Sequence, residues 1–204
     1  VALITLTPDG ENSIIVTAGA NGQVTPGFLA GREHLWRDAR LVVMQLEVPL
    51  ETVSYLAGRC REHGVRFLLN AAPAARLGAD VLAACDPLVV NQTEAAFLLG
   101  GDVSDQELVE RLLGLGPASV VVTLGAAGAI AGTAAGERFV QPAEAVERVV
   151  DTTGAGDAFV GGLATVLGRG GGLAEGLAHG ARAAAVAVGS SGAAASYAGL
   201  KDLR

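Results

Sequence analysis

An α/β fold with a mostly parallel sheet covered on both faces is the architecture this sequence predicts, and three observations predict it. Short runs rich in Val and Leu, "LVVMQLE", "VRFLLN", "DPLVVN" and "SVVVTLG", recur along the chain and are continuous rather than alternating in polarity. Strands buried on both faces read that way. Stretches of helical character separate them, which gives the strand–helix–strand rhythm of parallel crossovers and so a three-layer αβα arrangement. The composition agrees, since 50% of the 204 residues are hydrophobic and 29 are Gly, about twice the ~7% of average usage. Such a chain is the size of one domain, can bury a substantial core and needs many tight turns or close helix contacts.

Each element follows from local signals. Residues 3–7 and 13–17, joined through Asp9-Gly10, read as a small β hairpin. Thr25 caps and Pro26 starts a helix expected to run to Trp36, because Pro at the first helical position gives up an N–H that is unpaired there anyway. A strand over 41–47, a helix over 50–64 stopped by Gly64 and a strand over 65–70 come next. A strand over 86–91 leads into the helix of "QTEAAFLLG", capped by Asn91, and Ser104 with Glu107 forms a capping box for a helix over 105–113. A strand over 119–125, shorter strands near 129–132 and 138–141, and two Ala/Gly-rich helices near 155–167 and 173–188 complete the chain. With no linker or repeat in sight, the expected organisation is a single domain over 1–204, with a hairpin over 1–19 and an α/β core over 20–204.

The net charge of −7 and the lack of any Lys/Arg cluster argue against a nucleic-acid footprint and for a small-molecule protein. Residues 112–136 carry no charge over 25 positions, but six glycines and Pro117 interrupt them, so a buried strand, turn and strand is expected there and no membrane span. Cys60 and Cys85 are isolated, without metal-ligand spacing, and fit a reducing, cytoplasmic compartment. The opening "VALITLTPDG" has neither a basic region nor a long apolar stretch and does not read as a signal peptide.

The chemistry concentrates in "VVDTTGAGDAFVGGLA", residues 149–164. If the helix starts at Ala155, then Gly154, Ala155, Gly156 and Asp157 form its N-terminus, where free N–H groups converge and the dipole is positive. Glycines let an anion approach the backbone there, so the stretch reads as a phosphate cradle with a carboxylate beside it. By itself it equally describes a capped helix with an ordinary first-turn Asp.

The string Asp151-Thr152-Thr153-Gly154-Ala155-Gly156-Asp157, followed by Phe159, Gly161-Gly162 and Leu163, resembles the C-terminal signature of the ribokinase family of carbohydrate kinases, the PfkB type. "NQTE" resembles that family's N-x-x-E element and "VVVTLGAAGA" its strand and turn at the nucleotide, in the same order along the chain. The resemblance implies a ribokinase-like fold with a small β lid, ATP and a small sugar as substrates, and Mg²⁺ as cofactor. It implies Asp157 as general base, also touching sugar and ATP, with the anion hole at Gly154, Ala155 and Gly156. Asn91, Thr123, Gly125, Gly128, Gly156 and Ala181 would contact ATP, Ala181 standing where relatives carry Asn or His, with His179 two residues before it. Glu94 would hold Mg²⁺ through water.

Several stretches, "AGANGQVTP", "VVMQLEVPLETV", "LLNAAPAA" and "GAAASY", resemble the family members that act on ribose. They imply Glu47, Ile4 and Ile14 as sugar contacts. They also imply a K⁺-type monovalent cation held by Asp151, Thr153, Ala187, Ser190, Gly192 and Ser196. A second copy could pair through the lid. The family's Gly-Gly-x-x-x-N sugar motif and first strands have no counterpart here, so the sequence is expected to lack the N-terminal part of the fold, with an apolar sheet edge exposed. The functions to weigh are an ATP-dependent ribose kinase, a related kinase for another sugar or a nucleoside, and a non-catalytic nucleotide-binding fragment.

Overall fold

The structure, a computed structural model, describes the backbone of residues 2–6 and 12–202 and the side chains of residues 17–201. Strands β1 (Ala2–Leu6) and β2 (Asn12–Val16) form an antiparallel hairpin of their own, one residue earlier than expected at each end. The turn through Asp9-Gly10 lies outside the described residues.

The main sheet has six strands: β3 (Leu41–Met44), β4 (Arg66–Asn70), β5 (Leu88–Asn91), β6 (Ser119–Thr123), β7 (Ala129–Thr133) and β8 (Arg138–Gln141). They lie side by side in chain order. β3 to β6 are mutually parallel, and β7 and β8 are added antiparallel. The uncharged stretch is thus a strand, a turn and a strand inside this sheet.

Helices α1 (Pro26–Ala30), α2 (Leu50–His63), α3 (Ala79–Leu82), α4 (Gln92–Leu99), α5 (Asp105–Leu113), α6 (Ala155–Gly168), α7 (Leu173–Val188) and α8 (Ala193–Ser196) complete the regular structure, with short 3-10 turns between them. Because right-handed crossovers between successive strands in sequential order all pass over the same side, the connecting helices collect on one face. The opposite face falls to α6 and α7. The strands therefore serve two cores by alternation. Phe67, Leu69, Leu88, Val90, Val120 and Val122 pack with α2, α3 and α5. Their neighbours Leu68, Val89 and Val121 pack with Phe159, Leu163 and Leu177 of α6 and α7.

At the strands' starting ends a polar cluster ties three of them together. Arg66 Nε donates to the Asp86 carbonyl at 3.0 Å and pairs with Asp86 Oδ2 at 2.9 Å. The buried Ser119 hydroxyl donates to Asp86 Oδ1. At one side of the sheet β3 is an edge, and Val43 on it is 46% exposed, in keeping with the expected apolar edge.

Two expectations are corrected. The helix from Pro26 ends at Ala30 rather than Trp36, because Gly31 terminates it and the chain continues in a 3-10 turn over Glu33–Leu35. Ser104 forms no capping box, since its hydroxyl donates to the Glu107 carboxylate at 2.6 Å instead of accepting a backbone N–H. The short helices α3 and α8 had no periodicity long enough to register. Among the described residues no single helix is long and apolar enough to cross a membrane.

The closest helix packing is between α6 and α7. A Cβ built on Gly162 would stand 2.9 Å from both the Gly180 Cα and the His179 carbonyl oxygen, and one on Gly180 would stand 2.8 Å from the Phe159 carbonyl oxygen. Backbone cannot step aside as a side chain can, so Gly162→Ala should destabilise the fold by about 1–3 kcal/mol through overpacking. Urea unfolding followed by circular dichroism should register this as a lower midpoint with an unchanged slope.

Candidate active site at the carboxyl edge of the sheet

Parallel strands deliver their last residues to one edge, where crevices form between strand ends and helix starts. Asn91 ends β5 directly opposite Thr123, which ends β6. Asn91 Oδ1 accepts the Glu94 N–H and Glu94 Oε2 accepts the Asn91 N–H, both at 2.8 Å, so the N-x-x-E element is a reciprocal capping box. Glu94 is buried. Burial pushes its carboxyl above the ordinary range, against the lowering pull of the Asn91 N–H. Glu47 lies in the bend after β3, exposed, at the same edge.

The α6 start is shaped by Gly154, which sits at φ +78 and leaves no room for a side chain between the Tyr197 hydroxyl and Ala193. The Ala155 N–H donates to the Thr152 carbonyl at 3.2 Å, closing a turn, and the Gly154 carbonyl accepts the Ala158 N–H at 2.9 Å. Among the described residues the N–H groups of Gly156 and Asp157 have no acceptor. The unpaired N–H groups of this helix end are thus these two, and Ala155, expected as a third donor, is committed to the turn.

Next to that end lies a cavity of about 520 Å³. Thr123, Gly125, Gly128, Ala155, Gly156 and Ala181 all line it, so six residues named from sequence meet in one space. Gly128 has a structural duty there as well. At φ +98 its missing side chain would run into the Gln141–Ala143 backbone, which crosses directly over the turn. The rest of the wall is mainly apolar, with Phe159 of α6, Ala184 and Val188 of α7, and Val146 and Val149 from the irregular segment before Asp151. An apolar cavity with unpaired amides beside it suits a heterocycle joined to an anion. Asn91, Glu94 and Glu47 do not line it.

A sequence profile described as the pfkB family carbohydrate kinase matches residues 1–198. The chain belongs to that family. It is 37% identical over 210 residues to the ribokinase of Schizosaccharomyces pombe, covering 100% of this chain and 66% of the relative. It is also 37% identical over 166 residues to the deoxyribokinase of Salmonella typhi, covering 79% of this chain and 54% of that protein. Among solved structures, Arabidopsis thaliana ribokinase complexed with ribose and ATP superposes with a TM-score of 0.86 at 29% identity, over 96% of this chain and 64% of that one. The chain therefore spans about two thirds of these ribokinases, and the fold is theirs over that span.

Around this pfkB-family signature the structure brings a further set of residues together. Asp151 Oδ1 accepts the Thr153 N–H at 2.9 Å and Oδ2 accepts the Gly192 N–H at 2.8 Å. These two amides hold its carboxyl below the ordinary range. The Ala187 carbonyl accepts the Ser190 N–H at 3.3 Å, and the Ser196 hydroxyl donates to the Ala193 carbonyl at 2.7 Å. The oxygens expected to hold a monovalent cation therefore belong to one loop cluster, with Asp151 already bound to backbone. Ile4 and Ile14 are direct partners in the hairpin ladder, and their side chains lie outside the described residues. Tyr197, Thr152 and the 142–150 segment were not legible beforehand, since none carries a pattern of its own; Tyr197 ends "GAAASY", the only visible hint.

Two predictions come from these carboxylates. An acid lowered in the folded state adds stability above its unfolded pKa of about 3.9, and that part is lost as pH falls through the lower folded value. Asp151→Asn should therefore flatten the acid limb of a stability–pH curve below about pH 5 while reducing stability at neutral pH. Glu94 runs the other way: raised in the fold, it costs stability as pH rises past its unfolded value of about 4.3. Glu94→Gln, whose amide oxygen can still accept the Asn91 N–H, should leave the melting temperature at pH 8 unchanged or higher.

Proposed function

We propose that this pfkB-family protein transfers the γ-phosphoryl group of ATP to D-ribose, giving D-ribose 5-phosphate and ADP. The observation that carries the reading is the α6 start. Two unpaired amides and one exposed carboxylate, Asp157, stand together at the end of an apolar cavity lined by Thr123, Gly125, Gly128 and Ala181. The ribokinase and ribose–ATP complex names of the relatives support ribose as acceptor.

In this reading the adenine occupies the apolar cavity and the phosphates run toward the helix end. The Gly156 and Asp157 N–H groups, with the helix dipole behind them, neutralise charge on the transferred group. Asp157 accepts the proton of the sugar hydroxyl as that oxygen bonds to the γ-phosphorus. The bond from the γ-phosphorus to the bridging oxygen breaks, and the electron pair leaves with ADP. Glu47, in the bend after β3, hydrogen-bonds the sugar, and Ile4 and Ile14 bring the hairpin over it as a lid. The same hairpin is where a second copy would pair.

Mg²⁺ fits this site in one way only. Among the described residues no three His, Cys, Asp or Glu side chains cluster, so the protein offers no cage of its own. A cation carried mainly by phosphates and water needs only one carboxylate nearby, and Glu94, with one oxygen left after capping, supplies it. When bound, the ion neutralises phosphate charge. Asn91 would be the residue that contacts the nucleotide phosphates. The cluster of Asp151, Thr153, Ala187, Ser190, Gly192 and Ser196 would hold K⁺, a large ion suited to carbonyl oxygens and a single carboxylate.

A specific observation favours a second acceptor, 2-deoxyribose, since the deoxyribokinase is as similar in identity as the ribokinase. Measuring acceptor-dependent ADP formation by the full-length protein decides between them, with ribose expected to give the highest kcat/KM. A preference for 2-deoxyribose assigns the second reading. Asp157→Asn should lower kcat about 10²–10⁴-fold, the usual contribution of a general base, and leave ATP affinity nearly intact. Turnover at the wild-type rate removes Asp157 from the base role. Glu94→Gln should raise the Mg²⁺ concentration needed for half-maximal rate.

A further inference from the structure

One side chain reaches the α6 start from another part of the chain. Tyr197, immediately after α8, donates its hydroxyl hydrogen to the Gly154 carbonyl at 3.1 Å, across 43 residues of sequence. That carbonyl already accepts the Ala158 N–H at 2.9 Å. A second donor fixes the plane of the peptide between Gly154 and Ala155, and a trans planar peptide with a fixed carbonyl has a fixed, oppositely directed N–H. The Ala155 N–H is the one that closes the turn onto Thr152. Both ends of this peptide are therefore held, and the Gly156 and Asp157 amides project from the turn it begins.

Burial pushes the Tyr197 phenol above its ordinary value, and the negative charge of Asp157 pushes it in the same direction. Asp157 itself is exposed. The absence of a side chain at Gly154 is what lets the phenol come this close.

We propose that Tyr197 is a positioning residue for phosphoryl transfer, its hydroxyl fixing the Gly154 peptide and with it the direction of the unpaired amides that follow. The inference rests on the proposed phosphoryl transfer at the α6 start. It predicts a loss in the chemical step rather than in binding, because orientation of a reacting group is realised in the transition state.

Tyr197→Phe in the full-length protein keeps the ring and removes the hydroxyl. With ribose and Mg-ATP, kcat should fall about 10–100-fold, in the range that misplacement of a catalytic group produces. The KM values for ribose and ATP, the calorimetric Kd for Mg-ADP and the melting temperature should stay close to wild type. A wild-type kcat overturns the proposal. So does a fall in kcat matched by weaker Mg-ADP binding and a lower melting temperature, which is the mark of a packing role. If Asp157→Asn is inactive while Tyr197→Phe equals wild type, only the Tyr197 inference fails. If the wild type forms no ADP with any sugar, the proposed phosphoryl transfer fails and this inference goes with it.

Discussion

The contact between α6 and α7, backbone against backbone through Gly162 and Gly180, is the constraint on which the rest of the site depends. It sets two helices at a separation no larger residues would permit. One helix begins with the Gly154–Asp157 turn, and the other ends where the 189–197 loop begins. Because the pair is locked along its length, the start of the first and the end of the second stay in register. The Asp151–Gly192 and Tyr197–Gly154 hydrogen bonds can then form across sequence separations of 41 and 43 residues. The glycines of α6 and α7, costly to helix propensity, are therefore explained by packing.

Electrostatically, the site places its groups where water and helix ends do the work. The free amides sit at the positive end of a helix with an exposed carboxylate beside them, while the one buried carboxylate, Glu94, is held by a backbone N–H at the start of another helix. The buried thiols stand apart from this chemistry. Burial pushes Cys60 up to about 11 and Cys85 up to about 12, the latter helped by Asp86, so both stay protonated at neutral pH and act as small apolar side chains.

Much of this was legible in the sequence because it rests on local chemistry. The Val-rich strands, the Gly64 stop, the Asn91 cap and the two final helices all follow from residues within a few positions of each other. The site residues of the cavity were legible for a different reason: three short motifs, each common alone, occur in the order of one family. What could not be read was the choice of one hydrogen-bond partner over another, whether near in sequence or far. The Ser104 hydroxyl chose the Glu107 side chain over a backbone amide, Ala155 turned its N–H onto Thr152, and Tyr197 came back to Gly154. No pattern in the one-dimensional chain distinguishes those partners from their alternatives.

The sheet's two cores leave one further mark. In a half-exposed sheet, a strand that slips by one residue turns its apolar side to water, and solvation alone forbids the error. Here Leu68 would merely change places with Phe67 or Leu69, and Val89 with Leu88 or Val90, apolar for apolar. Solvation is nearly silent on such a slip, so fidelity of strand pairing falls to shape and to the few polar atoms among the strands. Arg66, Asp86 and Ser119 are those atoms: each stands at or just before the start of a different central strand, and their hydrogen bonds close in one alignment. A cluster far from any chemistry thereby acts as the sheet's proofreading device.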